Sequence, residues 1–160
     1  MATSNILNPF GFRPVKWQGG GACPTEEFYT TSNLTLLEGD PVVRKADGTI
    51  EKIGTTSTAV FGFAAHGVTG ATGVRAKVLI IPATFDKVFE VQAAAGVDVT
   101  QTLQVGYPAG VSFGTGYAVA KLGATTSLFN TAGIHPSSVA GKSLAVIRVV
   151  VAKSSYQGNS

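Results

Sequence analysis

No stretch of ten to twelve residues in this chain carries the apolar spacing of an amphipathic helix. Short runs rich in Val, Ile, Phe and Thr alternate instead with turns, and twenty glycines are spread over the 160 residues. This pattern is typical of antiparallel β-proteins, whose strands are short and whose turns use glycine. We therefore predict an all-β fold, a small β-barrel or β-sandwich with an extended N-terminal arm.

Three local signals in the sequence carry the strand predictions. An Asp-Gly pair at positions 47 and 48 separates the runs Pro41–Lys45 and Thr49–Ile53, which predicts a hairpin because glycine accepts the positive φ of such turns. Leu144–Ala152 is almost entirely apolar and is broken only by Arg148, which favours a strand buried on both faces at the centre of a sheet or barrel. Gly62, inside another β-prone run, indicates a bulge or a close backbone approach.

The N-terminal segment from Asn8 to Trp17 contains two Phe, the only Trp and two Pro, and three glycines follow at positions 19–21. Proline disfavours helix at the residue before it, so the segment is expected to be extended. We predict an arm over residues 1–24, a barrel or sandwich domain over 25–153 and a flexible tail over 154–160. The arm is expected to contact another protein through Asn8, Pro9, Phe10, Phe12, Arg13, Pro14 and Trp17.

The alternative for the arm is that its aromatic side chains fold back and plug their own barrel, because aromatic residues are core residues first. Arg13 has two interpretations as well. It pairs with an acidic patch on the partner, bidentate if the geometry allows, or it is a solvated charge on an exposed arm.

Composition limits the classes of partner. The chain is 44% hydrophobic and only 13% charged, about half the usual charged share, which favours large contact areas with other proteins. Its net charge is +3, and no acidic residue follows Asp98. The cations beyond that point are Lys121, Lys142, Arg148 and Lys153. They are scattered rather than clustered with aromatic residues, so no nucleic-acid partner is predicted.

The same composition predicts no cofactor, no metal and no membrane span. A single cysteine, Cys23, excludes an internal disulfide and fits synthesis in a reducing host cytoplasm. With only His66 and His135 besides, no zinc site of the usual spacing can be built, and neither histidine is assigned a role. The uncharged stretches are too rich in Gly, Thr and Pro to cross a bilayer, and the N-terminus lacks the features of a signal peptide.

Two glycine-rich motifs suggest catalysis, but each has a simpler explanation. Gly110-Val-Ser-Phe-Gly114 matches the G-x-S-x-G pattern, yet no Asp or Glu follows Ser112 and no helix is predicted after it. The glycine spacing of Gly106–Gly116 resembles a phosphate loop but lacks the Gly-Lys-Ser/Thr element, so we interpret these residues as turn glycines. The stretch Gly67–Val74 is interpreted as a loop. The sequence thus predicts that the protein is not an enzyme.

Three segments together resemble the capsid decoration, or cement, proteins of tailed bacteriophages. They are Asn8-Pro-Phe-Gly-Phe-Arg-Pro-Val15, Leu37-x-Gly-Asp-Pro-Val-Val43 and Phe85-x-x-Val-Phe-Glu-Val-Gln92, with a weaker match over Leu144–Val151. The resemblance implies a structural virion protein that oligomerises on the outer surface of the capsid and bridges neighbouring major capsid protein subunits. A trimer is favoured over a dimer, because a closed assembly must match the lattice axis that it caps.

Two other functions stay open at this point. One is a different structural part of the phage, such as a head–tail or tail component. The other is a glycan-binding module displayed on the virion, whose candidate surfaces are the uncharged loops Gly67–Gly73 and Asn130–Ser138. Neither loop contains an aromatic residue or a carboxylate, which sugar sites usually use.

Overall fold

The computed structural model describes residues 5, 9–17, 22–54, 57–94, 98–100, 105–124, 127–139 and 141–156. These residues form strands and no helix. In chain order the strands are β1 (Arg13–Trp17), β2 (Glu26–Tyr29), β3 (Thr35–Leu36), β4 (Pro41–Arg44), β5 (Ile50–Lys52), β6 (Gly62–Ala64), β7 (Val68–Thr69), β8 (Lys77–Pro82), β9 (Lys87–Gln92), β10 (Val105–Thr115), β11 (Tyr117–Leu122), β12 (Phe129–Ile134) and β13 (Val146–Val151).

The strands form three antiparallel sheets. The six-stranded sheet has the order β1-β9-β13-β12-β10-β11, the five-stranded sheet has the order β2-β8-β6-β4-β5, and β3 pairs with β7. The sheets pack together as a β-sandwich, which confirms the all-β prediction, and no closed barrel is found among the described strands. The edge strand β11 nevertheless reaches back towards the end of β9, because the amide of Ala94 donates to the carbonyl of Ala120 at 2.8 Å.

A cluster of aromatic rings fills the space between the two larger sheets. The ring of Phe63 lies 4.2 Å from that of Phe89, and the ring of Phe12 lies 4.7 Å from that of Phe129, measured between centroids. All four rings are buried. A second, smaller apolar cluster includes Leu36, Val42, Ile50, Phe61, Ala64, Val78 and Ile80. Burial of these side chains is the main stabilising term of the fold.

The three local strand signals have different outcomes. The hairpin is confirmed, with Gly48 at φ 86° and the amide of Lys45 donating to the carbonyl of Thr49 at 2.8 Å. Strand β13 lies between β9 and β12 as predicted for a central strand, but its side chains alternate between buried and half-buried, so only one face is fully covered. The close approach at Gly62 is confirmed, since a Cβ atom there would lie 2.4 Å from the side chain of Ile80.

Two glycine-rich stretches differ from the prediction. Val68–Thr69, inside the predicted loop, is strand β7 and pairs with β3. The predicted turn glycines between positions 106 and 116 lie mostly within β10, which at eleven residues is the longest strand. Its pairing with β11 and β12 is irregular, and Gly106 and Gly116 have positive φ. Gly106 lies at a register shift in the pairing with β12, whereas Gly116 lies between β10 and β11 and is a turn glycine as predicted.

Both ends of the predicted domain organisation also need correction. Arg13–Trp17, assigned to an arm without a sheet of its own, is strand β1 and pairs with β9. Residues 154–156 of the predicted flexible tail pack on the domain. The amide of Ser155 donates to the carbonyl of Val60 at 2.9 Å, and the ring of Tyr156 lies 5.4 Å from that of Phe61. Both segments are held by partners distant in sequence, which local patterns do not reveal.

Candidate functional site

The first and second segments of the phage-protein resemblance meet at a pair of glycines. Gly11 and Gly39 both have positive φ, at 79° and 81°. A Cβ atom on Gly11 would lie 2.5 Å from the carbonyl oxygen of Glu38, and one on Gly39 would lie 2.6 Å from the amide nitrogen of Phe12. The amide of Phe12 donates to the carbonyl of Gly39 at 3.0 Å. Backbone packs directly on backbone here, so both positions require glycine.

Asp40 shapes the turn that presents Gly39. Its amide donates to the carbonyl of Leu37 at 3.1 Å, and its Oδ2 accepts from the amide of Leu37 at 2.9 Å. The carboxyl group is fully buried, and the Nζ of Lys52 lies 3.3 Å from Oδ2. Burial raises the pKa of Asp40, which the hydrogen bond from Leu37 and the charge of Lys52 partly oppose. The backbone of the Gly-Asp-Pro-Val segment is therefore held in a fixed position, and the N-terminal segment packs on it.

The N-terminal segment enters its own core through Phe12. This ring is 1% exposed and lies 5.4 Å from the ring of Phe63 and 4.7 Å from that of Phe129. Two residues further along the chain, in β1, Pro14 pairs with Phe89 of the third segment of the resemblance. All three segments thus form one contiguous unit, which we call the N-terminal seat: residues 9–17, 37–43 and 87–92.

Asn5 holds the chain upstream of the N-terminal seat. Its Nδ2 donates to the carbonyls of Val139 and Ser143 at 3.1 and 2.9 Å, and its Oδ1 accepts from the amide of Val139 at 2.7 Å. This amide side chain is satisfied by backbone groups more than 130 residues away. The described part of the predicted arm is therefore fixed at two separate places on the domain.

Glu90 lies at the centre of a charged cluster on the six-stranded sheet. It pairs in register with Arg13 of β1 and with Arg148 of β13, so three neighbouring strands bring these residues together. The carboxylate of Glu90 lies 3.8 Å from a guanidinium nitrogen of each arginine and 3.5 Å from the Nε2 of His135. We call Arg13, Glu90, His135 and Arg148 the Glu90 cluster.

The Glu90 cluster combines a buried acid with exposed bases. The Glu90 side chain is only 6% exposed, whereas the side chains of Arg13 and Arg148 are 58% and 42% exposed. Two guanidinium groups around one carboxylate leave a net positive charge at the surface. The ring of Phe10 packs on Arg13, with the guanidinium carbon 4.4 Å from the ring centroid, and the exposed Val15 follows along β1. This surface can hold a carboxylate of a partner beside the exposed apolar side chain of Val15.

The residues predicted to contact another protein are distributed over two sides of β1. Phe12 faces the core, so its predicted contact with a partner is corrected: burial against this chain's own aromatic rings leaves it no accessible surface. Pro9, Phe10 and Pro14 are half-buried, and Arg13 is exposed beside Glu90. Trp17 contributes its backbone to β1, opposite Lys87. Asn8 lies outside the described residues.

Neither Glu90 nor Arg148 was identified as a functional candidate from the sequence, and His135 was assigned no role. The Glu90 cluster forms because the register of three strands, which are far apart in the chain, places its residues side by side. No local spacing in the sequence predicts this. The nearest sequence signal is the isolated charge of Arg148 in an otherwise apolar run. A charge at the centre of such a strand predicts a nearby partner charge, because burial without one is costly.

A cleft of about 450 Å³ opens elsewhere on the sandwich, next to β10 and β11. Its apolar wall includes Ile53, Val111, Phe113 and Leu128, and its polar groups include Ser112 and Lys121. Ser112 lies in the middle of β10, paired with Val119, and not at a strand-to-helix turn. No carboxylate or imidazole is among the described residues that line the cleft, so Ser112 has no general base beside it there.

No family model, no curated protein and no solved structure matches this chain. Within the described ranges, no helix is long and apolar enough to cross a membrane. The described part of the chain also contains no group of three or more His, Cys, Asp or Glu side chains that could hold a metal ion. Cys23 is half-buried, and burial raises the pKa of its thiol.

Proposed function

We propose that this chain is a structural virion protein that decorates the head of a tailed bacteriophage. In this role it binds the outer surface of the capsid, associates with copies of itself and bridges neighbouring major capsid protein subunits. The observation that carries the proposal is the N-terminal seat. The three segments on which the resemblance to decoration proteins rests form one structural unit, and that unit exposes Arg13 and Val15, with the half-buried Phe10 packed on Arg13.

The contact with the capsid is proposed to lie on β1 and the Glu90 cluster. Arg13 supplies an exposed guanidinium group, and Arg148 a partly exposed one whose Nε is buried beside Glu90. Guanidinium groups bind carboxylates with two parallel hydrogen bonds where the geometry allows. Val15 is 42% exposed and supplies an apolar contact beside them. The fitting partner is a capsid surface with carboxylates around an apolar patch. Arginine and aromatic side chains are also the types that dominate binding hot spots.

The stabilising effect on the capsid follows from differential binding. A protein that binds the assembled shell more tightly than the free subunits stabilises the shell by the difference in binding free energy. Oligomeric copies that contact several subunits at once gain affinity through effective concentration, so each single contact can be small. The low share of charged residues fits large contacts with other proteins.

Co-sedimentation with phage heads that lack this protein tests the proposal. Deleting residues 1–20 is a poor test, because it removes Phe12 from the core and β1 from the sheet. Val15→Asp is sharper, since it adds a repulsive charge to the exposed side of β1. The matched control is Val74→Asp, which places the same charge on a loop residue that is 54% exposed. Unchanged melting temperatures verify that both variants fold.

We expect saturable binding of the wild-type protein and of Val74→Asp, and binding weaker by about tenfold or more for Val15→Asp. Equal binding of the two variants would overturn the assignment of the contact to β1. No binding of the wild-type protein would overturn the decoration function itself. Negative-stain imaging of particles carrying the labelled protein then distinguishes a head location from the tail.

A further inference from the structure

The most exposed aromatic side chain of the described residues lies at the tip of the β8–β9 turn. Phe85 is 58% exposed, and Asp86 beside it is exposed as well. Among the described residues, the other large apolar ones that are exposed are Val15, Tyr29, Val74, Leu79, Val105 and Tyr117. None of those has an acidic neighbour in the sequence. The turn therefore presents an aromatic ring and a carboxylate together, and we call Phe85 and Asp86 the tip.

The tip is fixed in position by the residues around it. Ala83 is completely buried and Lys87 is 2% exposed, so both ends of the turn are anchored in the domain. The hydroxyl of Thr84 donates to the carboxylate of Asp86, and the amide of Thr84 donates to the carbonyl of Pro82 at 3.0 Å. The hydrogen bond from Thr84, and to a smaller degree the charge of Lys87, lowers the pKa of Asp86, so its carboxylate is ionised at neutral pH. A pre-organised tip loses little conformational entropy on binding.

The cleft beside β10 and β11 has the complementary chemistry. Its wall of Ile53, Val111, Phe113 and Leu128 is apolar, and Lys121 supplies a positive charge. No acidic residue follows Asp98 in the chain, so β10 and β11 contribute no carboxylate to it. Within the described part of the chain, no ion pair joins Lys121 to an acidic side chain. At about 450 Å³, the cleft has room for an aromatic side chain and its neighbour.

We propose that the tip of one copy of this chain inserts into the cleft of a second copy, with Phe85 against the apolar wall and Asp86 paired with Lys121. This inference rests on the self-association that is part of the proposed function, and it names the two surfaces that make the contact. The tip and the cleft are different surfaces, so the contact is head-to-tail. Head-to-tail contacts close into rings when the rotation between copies allows, which fits a cyclic oligomer and not an isologous dimer.

Light scattering coupled to size-exclusion chromatography measures the mass of each variant. The tip variant is Phe85→Ser, the cleft variant is Lys121→Glu, and the matched control is Val74→Ser, which removes an exposed apolar side chain elsewhere. We expect the wild-type protein and the control to be oligomeric and the tip and cleft variants to be monomeric, with dissociation constants raised by about tenfold or more. A charge exchange, Asp86→Lys with Lys121→Glu, is expected to restore the oligomer.

Mixing supplies a test that a general loss of stability would not mimic. The tip variant keeps an intact cleft and the cleft variant keeps an intact tip, so an equal mixture can form one productive contact and is expected to give a heterodimer. A monomeric wild-type protein would overturn the proposal, and so would an oligomer that persists in the tip variant. Because these measurements use no phage heads, they can fail while head binding succeeds, which keeps this inference separate from the decoration function.

Discussion

Gly11 and Gly39 pack backbone against backbone, each with a positive φ that the other's position helps to fix. One belongs to the aromatic N-terminal segment and the other to the Gly-Asp-Pro-Val segment, which lies almost thirty residues further on. This contact joins the two segments in the folded protein. Each supplies half of a joint that has no room for a side chain.

Replacing either glycine by alanine is therefore expected to destabilise the fold strongly. The left-handed backbone conformation alone costs a non-glycine residue about 1–2 kcal/mol, and at Gly11 or Gly39 the Cβ also meets backbone atoms that cannot move aside. Gly73→Ala is the matched control, because its φ is 74° and nothing lies within 4 Å of the added Cβ. Urea unfolding of the three variants separates the cost of the left-handed backbone conformation from the cost of the clash between the Cβ and the backbone.

We expect Gly73→Ala to lose only the conformational term of about 1–2 kcal/mol. Gly11→Ala and Gly39→Ala are expected to lose clearly more. Three equal losses would mean that the backbone joint contributes nothing beyond its dihedral angles.

Phe12 is expected to behave as a core residue and not as part of a free arm. Truncation of a buried aromatic ring costs about 3–5 kcal/mol, because the surrounding side chains close the cavity only in part. Phe12→Ala should therefore lower the free energy of unfolding by about that amount, measured by urea titration. Tyr29→Ala, at an aromatic residue that is 48% exposed, is the control and should stay within about 0.5 kcal/mol of wild type. If Phe12→Ala left the free energy of unfolding unchanged, the N-terminal segment would be a detachable arm and not part of the core.

Asp40 is expected to give the stability a distinctive pH dependence. Burial raises its pKa in the folded state, so the folded protein binds a proton that the unfolded chain, with its usual pKa of 3.8, releases. The contribution of Asp40 to the free energy of unfolding therefore increases as the pH falls from neutral through the raised pKa. It stops increasing below the pKa that Asp40 has in the unfolded chain. Asp40→Asn removes this slope while leaving an oxygen to accept from Leu37.

The measurement is the free energy of unfolding of wild type and Asp40→Asn over a pH series, with the difference plotted against pH. The free energy of unfolding of wild type should increase relative to that of Asp40→Asn as the pH is lowered towards 3.8. Asp47→Asn is the control of opposite sign, since hydrogen bonds from Thr49 lower the pKa of Asp47 and its contribution is lost as the pH falls below 3.8. If the difference in free energy of unfolding between wild type and Asp40→Asn did not change with pH, burial would not raise the pKa of Asp40.

The sequence predicted what depends on neighbouring residues. The Asp-Gly hairpin, the close approach at Gly62 and the central position of β13 follow from residue types whose conformational preferences act locally. Strand β10 was missed because its glycines mark irregular pairing as readily as turns, and only the partner strands decide between the two. The local signals also left open whether Phe12 binds its own core or a neighbour.

The candidate site was less predictable than the fold for the same reason. Arg13 was identified from the N-terminal segment, but its partners Glu90 and Arg148 belong to strands 77 and 135 positions further along the chain. Only the strand order and register bring the three together. Phe85 begins the third segment of the resemblance in the sequence, whereas β9 begins two residues later, at Lys87, which leaves Phe85 in the turn.

Hydrogen exchange of the isolated protein tests the central claim most directly, namely that the N-terminal segment is a seated strand of its own domain. In the absence of heads or any partner, the amide of Phe12, which donates to Gly39, and the β1 amides that face β9 should be protected to a degree comparable with those of β9. Gly39→Ala should selectively abolish the protection of residues 12–17 wherever that variant still folds. Rapid amide exchange throughout residues 12–17 in the wild-type protein, alongside a protected β9, would contradict this claim. The N-terminal segment would then be a free arm.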